Sequence, residues 1–555
     1  MKMTCACLLA LLWMLPPPAA ALDEARGKAG VDAAREHHGV TGRGVIVAVF
    51  DRGLDHTHPA FRTEAGDTRV LAMLDLTNDD GAKAEGNPHG FGTITRKAQI
   101  DLSLKAGAAL GTEDKEGRGT ASCGLAAGNG RGSKDLRYRG VAPHAKLLFV
   151  KLKLDPDAWQ RTRLRQVRPI EDGETKKDVW FDLRRLRAGI QFCVAEAKTV
   201  GLPLVILMNY GQVGGPTDGS SKLCREIDAL VGPDTKGVAF VTGSSDKGDR
   251  KNRAAGRLTQ GASVTLQVQK EAEGEVIVDL WYPGTDRFDV SLRTPAGSAG
   301  PYKAPKTGKS EQGKDFQYYH LASSRNQILT LGGKRQIRVD LVGGPGRYDI
   351  TLRGATVRDG RFSATIGPNP ENPMDEPFNK FLNHVAPGSL WDGASAKHAV
   401  VVGCAILRNE WRNIQKRGLG QMGEGKPGAL WLGSGTGPTA DGRPGVTLCV
   451  EADRVATTYA RGSDWAGVRK HVMADDGGLY GMSSGTTASA AMVAGVVALM
   501  FELDPTLSGA EARAILQRSA RADDHTGAVP NPRWGHGKLD ARAALAAVAA
   551  RKKGR

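Results

Sequence analysis

Short apolar runs rich in β-branched residues alternate with helix-period segments along this chain. The apolar runs cover residues 45–50, 146–151, 204–208, 238–242 and 399–403, and helical patterns cover 183–198 and 222–231. Strands that are buried on both faces and separated by helices form a mainly parallel sheet with helices packed on it. The sequence therefore predicts an α/β protein. A later small-residue run, 485–503, predicts a buried helix, and Ser508 with Glu511 forms a capping box that starts the next helix.

Between residues 256 and 367 the pattern changes to short strands with no helix-period segment. The strand-like segments are SVTLQVQK, EVIVDLWYP, FDVSLRTP, QILTLGG, RQIRVDLV, RYDITLRG and RFSATIG. Many short strands with turns between them predict an all-β sandwich. Because the α/β pattern resumes at Ala399, we interpret the sandwich, 256–367, as an insertion between two parts of one α/β domain, 22–255 and 368–555.

Residues 1–21 have the pattern of a cleavable secretory signal. A lysine near the start precedes an apolar run, Leu8 to Leu15, and three alanines, 19–21. The run is too short to span a bilayer, and Pro16 to Pro18 disfavour the alternative of a buried N-terminal helix. The most apolar later stretch, 490–501, is also short. We therefore expect a secreted or periplasmic protein without a transmembrane segment.

Cysteine content and net charge indicate which metal sites, disulfides and binding partners to expect. The chain has seven cysteines, five of them after the predicted signal, and no pair has metal-ligand spacing. Buried thiols and one or two disulfides both remain open. The formal net charge is +16, with a dense arginine run at 161–168. Outside the cytoplasm this charge favours anionic envelope polymers over nucleic acid, although a solvated basic face is the simpler interpretation.

Four segments carry residues that suggest a hydrolytic site. They are GVIVAVFDRGLDHTHPAF from Gly44, GRGTASCGLAAG from Gly117, VAFVTGSSDKG from Val238 and SSGTTASAAMVAGVVALM from Ser483. The first, second and fourth resemble, in the order expected, the aspartate, histidine and serine blocks of the subtilase (subtilisin-like serine protease) family. The third resembles the block that supplies an oxyanion donor.

The resemblance implies a role for each matching position. Asp51 takes the place of the triad aspartate, Arg118 that of the histidine, Thr487 that of the serine and Ser244 that of the oxyanion asparagine. The segment MNYGQVGG resembles the family's substrate-binding strand, which implies peptide contacts from Asn209, Tyr210 and Gly211. The inserted sandwich, with VDLWYPGTDRFDVSLRTPAG, resembles the jelly-roll domain of Csp-type subtilases. Many subtilases bind calcium, but no residue pattern here indicates a cofactor or metal site.

The substitutions predict that protease chemistry has been lost. A guanidinium stays protonated and has no lone pair with which to accept a proton, so Arg118 cannot act as the base. The β-branch of Thr487 restricts its side chain, and Ser244 has a shorter reach than asparagine. We expect a pseudoprotease in which Arg118 and Asp51 form a charge pair and the former cleft binds a peptide or protein. The alternative is a serine-type endopeptidase with atypical catalytic residues. A hydrolase of another bond has no support, because no metal cluster or carboxylate pair is evident.

Overall fold

The computed structural model describes residues 22–81, 83–84, 87–152, 183–209, 214–248, 250–271, 273–306, 308–321, 333–367, 378–415, 417–420, 425–473 and 477–554. The predicted signal segment 1–21, the arginine run 161–168, residues 327–332 of QILTLGG, and two of the predicted peptide-binding residues, Tyr210 and Gly211, lie outside these residues.

The α-helices of the described residues are α1 Leu22–Lys28, α2 Val31–His38, α3 Lys97–Ala106, α4 Arg118–Ala127, α5 Leu183–Val200, α6 Lys222–Val231, α7 Asp464–Gly467, α8 Gly485–Leu503, α9 Gly509–Ser519 and α10 Ala541–Lys553. The strands are β1 Ile46–Asp51, β2 Val70–Asp75, β3 Thr93–Arg96, β4 Lys146–Lys151, β5 Leu204–Met208, β6 Val238–Gly243, β7 Arg253–Arg257, β8 Ser263–Lys270, β9 Val276–Pro283, β10 Arg287–Thr294, β11 Gly297–Tyr302, β12 Gly308–Gln312, β13 Phe316–Leu321, β14 Lys334–Leu341, β15 Gly346–Thr356, β16 Arg361–Gly367, β17 Lys380–Phe381, β18 Val400–Ile406, β19 Glu410–Arg412, β20 Gly418–Gly420, β21 Leu448–Asp453, β22 Val455–Thr458 and β23 Tyr480–Ser483.

A central sheet has the strand order β21-β18-β6-β5-β1-β4-β2-β3. All neighbouring pairs are parallel except β2 and β3. Strand β1 lies between β4 and β5, and all six of its residues are buried. Its continuous apolar sequence follows from this position, because a strand covered on both faces has no solvated side. The parallel arrangement places the last residue of β1, Asp51, at the carboxyl edge of the sheet.

Helices cover both faces of this sheet. Helix α8 lies on one face with α4, in a core that includes Val493, Val497 and Leu125. Helices α5 and α6 lie on the other face, where Phe192 and Ile227 join a second core. Among the described residues, α8 alone is long and apolar enough to cross a membrane, but 89% of its apolar window is buried inside the protein. Its composition is therefore explained by its place in the core.

The predicted sandwich consists of two antiparallel sheets, β11-β10-β15-β8-β17 and β12-β13-β14-β9-β16-β7. Alternate residues of these strands form a separate hydrophobic core, with Val278, Tyr318 and Ile350 among its members. The sandwich follows β6 and precedes β18, which pair with each other in the central sheet. The prediction of an α/β fold with an inserted β domain is confirmed. The sandwich strands extend from Arg253 to Gly367, with β17 added, while the boundaries 256 and 367 stay predictions.

Candidate active site

The site lies where β1 ends and α4 begins. Asp51 is the last residue of β1 and Arg118 is the first residue of α4. The second residue of α4 is Gly119, and a Cβ atom there would lie 2.1 Å from the carbonyl oxygen of Gly53 and 3.0 Å from Cβ of Asp51. Only a residue without a side chain lets the helix approach this strand so closely. Glycine at 119 therefore brings Arg118 beside Asp51.

Asp51 is fully buried. Its Oδ1 accepts a hydrogen bond from the backbone N–H of Arg52 (2.9 Å), and its Oδ2 accepts one from the hydroxyl of Ser122 (3.1 Å). Burial raises the pKa of Asp51 above its ordinary value, and the charge of Arg118 is the largest influence that opposes this rise. The charge pair between Arg118 and Asp51 therefore stays a prediction, while Arg52 and Ser122 donate the hydrogen bonds to this carboxylate.

Arg118 contacts the residue predicted at the nucleophile position. Its Nη2 donates a hydrogen bond to Oγ1 of Thr487 over 2.7 Å. Thr487 lies in the first turn of α8 and is 7% exposed. The structure therefore brings together Asp51, Arg118 and Thr487, which are far apart in sequence. In this arrangement the hydroxyl oxygen of Thr487 accepts a hydrogen bond from the guanidinium. A general base would instead accept the proton of the hydroxyl group.

The side chain of Asp246 binds the first turn of α8. Oδ1 of Asp246 accepts hydrogen bonds from both the backbone N–H of Thr486 (2.9 Å) and its hydroxyl (2.8 Å). Gly485 has a φ of 80°, a left-handed conformation that glycine adopts without strain. A carboxylate at the first turn of a helix satisfies N–H groups that have no partner inside the helix. Asp246 therefore helps to hold the first turn of α8, in which Thr487 lies.

Asn209 and Ser244 follow the neighbouring strands β5 and β6. Nδ2 of Asn209 donates to the carbonyl oxygen of Thr487 (3.2 Å), and its Oδ1 accepts from the N–H of Gly243 (3.1 Å). Asn209 thus ties β6 to the first turn of α8. The hydroxyl of Ser244 is buried and has no hydrogen-bond partner among the described residues, while its N–H donates to Val402. In this conformation Ser244 does not present its hydroxyl to solvent.

A second buried carboxylate, Asp114, precedes α4. It accepts hydrogen bonds from the N–H groups of Gly117 and Thr120, both at 2.8 Å. Burial raises its pKa to about 6, although these two hydrogen bonds oppose the rise. Asp114 therefore caps the helix that carries Arg118.

The family assignment follows from a match to two long segments of the α/β part of the chain. The model of the subtilase family matches residues 42–182 and 378–537, which together are more than half of the sequence. The chain belongs to the subtilase family. The matched residues include Asp51, Arg118 and Thr487, and they leave out both the inserted sandwich and residues 183–255, which contain Asn209 and Ser244. No curated protein is significantly similar to the chain.

One solved structure supports the same fold, and a second is reported beside it. The CspB protease of Clostridium perfringens superposes with a TM-score of 0.69 at 20% identity, over 95% of this chain and 99% of that protein. Fervidolysin from Fervidobacterium pennivorans, a keratinolytic enzyme related to subtilisin, gives a TM-score of 0.42 at 14% identity, over 93% of this chain and 45% of that one. Together with the family match, the likeness to CspB shows a subtilase fold with Csp-type architecture, in which a β domain is inserted.

Two histidines near Asp51 have structural contacts in this subtilase. Nε2 of His56 lies 3.1 Å from the hydroxyl of Ser103. His58 accepts from the N–H of Ala60 at Nδ1 and contacts the carbonyl oxygen of Leu479 at Nε2. Burial lowers the pKa of His58 to about 4. Both rings are engaged in holding the loop after β1.

Sequence reasoning missed the three residues that support the site, Asp114, Ser122 and Asp246. Asp114 lies three residues before Gly117, the glycine at the start of α4, so it had a local capping signal. Asp246 is far in sequence from Gly485, the glycine at the start of α8, so it had none. Asp246 reaches α8 from a distant segment. Among the described residues, no group of three or more His, Cys, Asp and Glu side chains is placed to hold a metal ion.

Proposed function

We propose that this subtilase is an exported pseudoprotease that binds a peptide or protein partner in its former substrate cleft. The hydrogen bond from Arg118 to Thr487 is the observation that carries this proposal. Hydrolysis by a triad needs a group that accepts the hydroxyl proton and returns it to the leaving amine. A guanidinium at that position remains protonated, so the Thr487 hydroxyl has no base beside it.

The size of the expected loss supports the same proposal. In subtilisin, removing the serine or the histidine alone lowers kcat by about six powers of ten, and removing one oxyanion donor lowers it by about two to three. These losses do not add, but either of the larger ones makes hydrolysis negligible. Ser244 supports the same proposal, because its buried hydroxyl is not exposed as a hydrogen-bond donor to an oxyanion.

Peptide binding needs less of the original machinery than hydrolysis does. An extended peptide can pair with the backbone of an exposed strand edge, and this pairing does not involve a base or a nucleophile. The resemblance of MNYGQVGG to the family's substrate-binding strand supports such pairing here. Export rests on the signal-like pattern of residues 1–21, and the net charge of +16 supports anionic envelope polymers as additional partners.

The alternative function is a serine-type endopeptidase with atypical residues. The position of Thr487 favours it, because a helix N-terminus and a neighbouring cation both stabilise negative charge on an oxygen. A fluorophosphonate probe separates the two functions. We expect no labelling of the wild-type chain. Labelling that is lost in Thr487→Ala and kept in Ser484→Ala, an exposed serine three residues earlier, would establish the endopeptidase instead.

Restoration tests the site assignment. The triple variant Arg118→His, Thr487→Ser, Ser244→Asn should gain measurable casein hydrolysis, because it replaces each missing chemical group on the same backbone. The matched control adds Asp51→Asn to the triple variant and should lose that gain. A folded triple variant without any hydrolysis would contradict the assignment of these positions.

Binding is tested with wild-type protein and a pool of casein peptides. We expect some peptides to be retained uncleaved, as identified by mass spectrometry. Arg118→Glu should reduce their retention, whereas Arg293→Glu, an exposed arginine of the sandwich, should leave it unchanged. Failure of the wild-type protein to retain any peptide would count against a peptide ligand.

A further inference from the structure

An open cavity of about 730 Å³ lies at the amino edge of the central sheet, opposite Thr487. Thr41 and Arg139, which line it, precede β1 and β4, and both strands run from there toward Asp51. Helix α8 connects the two edges. Thr487 is in its first turn, and Glu502 near its end accepts the N–H of Thr41 over 2.7 Å. Because a 19-residue helix is about 28 Å long, the cavity is separate from the candidate active site.

Arginines from three segments face this cavity: Arg26 of α1, Arg35 of α2, and Arg137 and Arg139 of the loop before β4. Arg26 and Arg35 share one carboxylate, that of Asp32, at 2.8 Å and 3.7 Å. Their side chains are 8% and 11% exposed, so solvent screens their mutual repulsion only weakly. The other acidic lining residues, Glu36 and Asp135, are exposed.

Two of these guanidiniums are incompletely paired. Nε of Arg35 is buried and has no hydrogen-bond partner among the described residues. Arg139 is half-buried, and its guanidinium makes no hydrogen bond or ion pair with any residue that the structure describes. Burial, followed by the charge of Arg26, lowers the pKa of Arg35 to about 10. The charges of Asp32 and Glu502 oppose this lowering. Close guanidiniums with N–H groups that lack a partner favour an anionic ligand.

We propose that this cavity binds a multiply charged oxyanion, with phosphate or carboxylate oxygens held by Arg35 and Arg139. Planar guanidiniums pair with either group through two parallel hydrogen bonds, and a ligand between arginines of two segments would offset their repulsion. The volume accommodates a group larger than a single phosphate. The N-terminal residues 1–21 contain no Asp or Glu, so that segment cannot supply the anion.

Isothermal titration calorimetry on the purified full chain tests the proposal. Inorganic pyrophosphate and citrate are titrated separately at constant ionic strength. We expect saturable one-to-one binding of at least one anion, weakened about tenfold or more in Arg139→Ala. The exposed sandwich arginine provides the matched control, and Arg293→Ala should bind as the wild type does. Absence of saturable binding for both anions, or equal binding by Arg139→Ala and wild type, would overturn the proposal.

Two further measurements complete the test. Tighter binding of pyrophosphate assigns a phosphate source, and tighter binding of citrate assigns a carboxylate source. Arg35→Lys keeps the positive charge but removes the planar pair of N–H donors, so it should also weaken binding. Arg118→Glu should leave anion binding unchanged, which separates this site from the proposed peptide cleft. Thermal unfolding followed by circular dichroism verifies that each variant is folded.

Discussion

A methyl group at position 119 would collide with the strand that carries Asp51. The Cβ atom of Gly119→Ala would lie 2.1 Å from the carbonyl oxygen of Gly53, and 3.0 Å from both Cβ of Asp51 and Cζ of Phe149. Ordinary contacts between carbon and oxygen are longer by about 1 Å or more. The oxygen belongs to the backbone, so it cannot rotate away. Helix α4 must therefore move by about 1 Å.

The cost of this movement follows from known overpacking effects. Adding a methyl group to a close-packed core costs about 1–3 kcal/mol. Alanine is a better helix former than glycine by about 1 kcal/mol in a helix interior, and less in the first turn, where residue 119 lies. We expect Gly119→Ala to lower the free energy of unfolding by about 1–2 kcal/mol. The displaced helix should also carry Arg118 away from Thr487.

Urea unfolding measures the effect, with Gly27→Ala as the matched control. Gly27 is also in a helix, α1, and its added Cβ would meet no atom within 4 Å. The control should therefore be neutral or stabilised by about 0.5–1 kcal/mol. The reasoning would be refuted if Gly119→Ala were as stable as wild type, or if both variants lost the same free energy.

Three other predictions concern residues away from the cleft. Burial raises the pKa of Asp392 to about 6, so the folded chain binds more protons than the unfolded one between about pH 4 and 6, and its stability falls as the pH rises through that window. Relative to Asp392→Asn, wild type should lose up to about 3 kcal/mol between pH 4 and 7 in urea unfolding, and parallel pH profiles would contradict this. Ser508 caps α9 with Glu511, so Ser508→Ala should cost about 1 kcal/mol and Ser508→Asp should cost less, measured in the same way. The five described cysteines, Cys123, Cys193, Cys224, Cys404 and Cys449, are buried and free, and burial raises their pKa values. Maleimide should therefore modify them only in denaturant, as measured by intact-mass spectrometry.

Local patterns were sufficient for most of the α/β elements. The strand 146–151 and the helices 222–231 and 485–503 have the bounds that their apolar patterns predicted. The capping box at Ser508 was also predicted, because both of its hydrogen bonds join residues three positions apart. The strand predicted at 399–403 extends to Ile406, since pairing with β21 continues beyond the apolar run.

The sequence by itself determined which chemical groups are available: a carboxylate at Asp51, a guanidinium at Arg118 and a hydroxyl at Thr487. Motif order also predicted that these residues belong to one subtilase site. Only the tertiary structure decided their contacts. In that structure Arg118 donates a hydrogen bond to the hydroxyl of Thr487, Ser122 donates one to Asp51, and the hydroxyl of Ser244 is buried. The reason is physical: residue types fix what each group can donate or accept, but the packing of distant segments fixes which partner lies within reach.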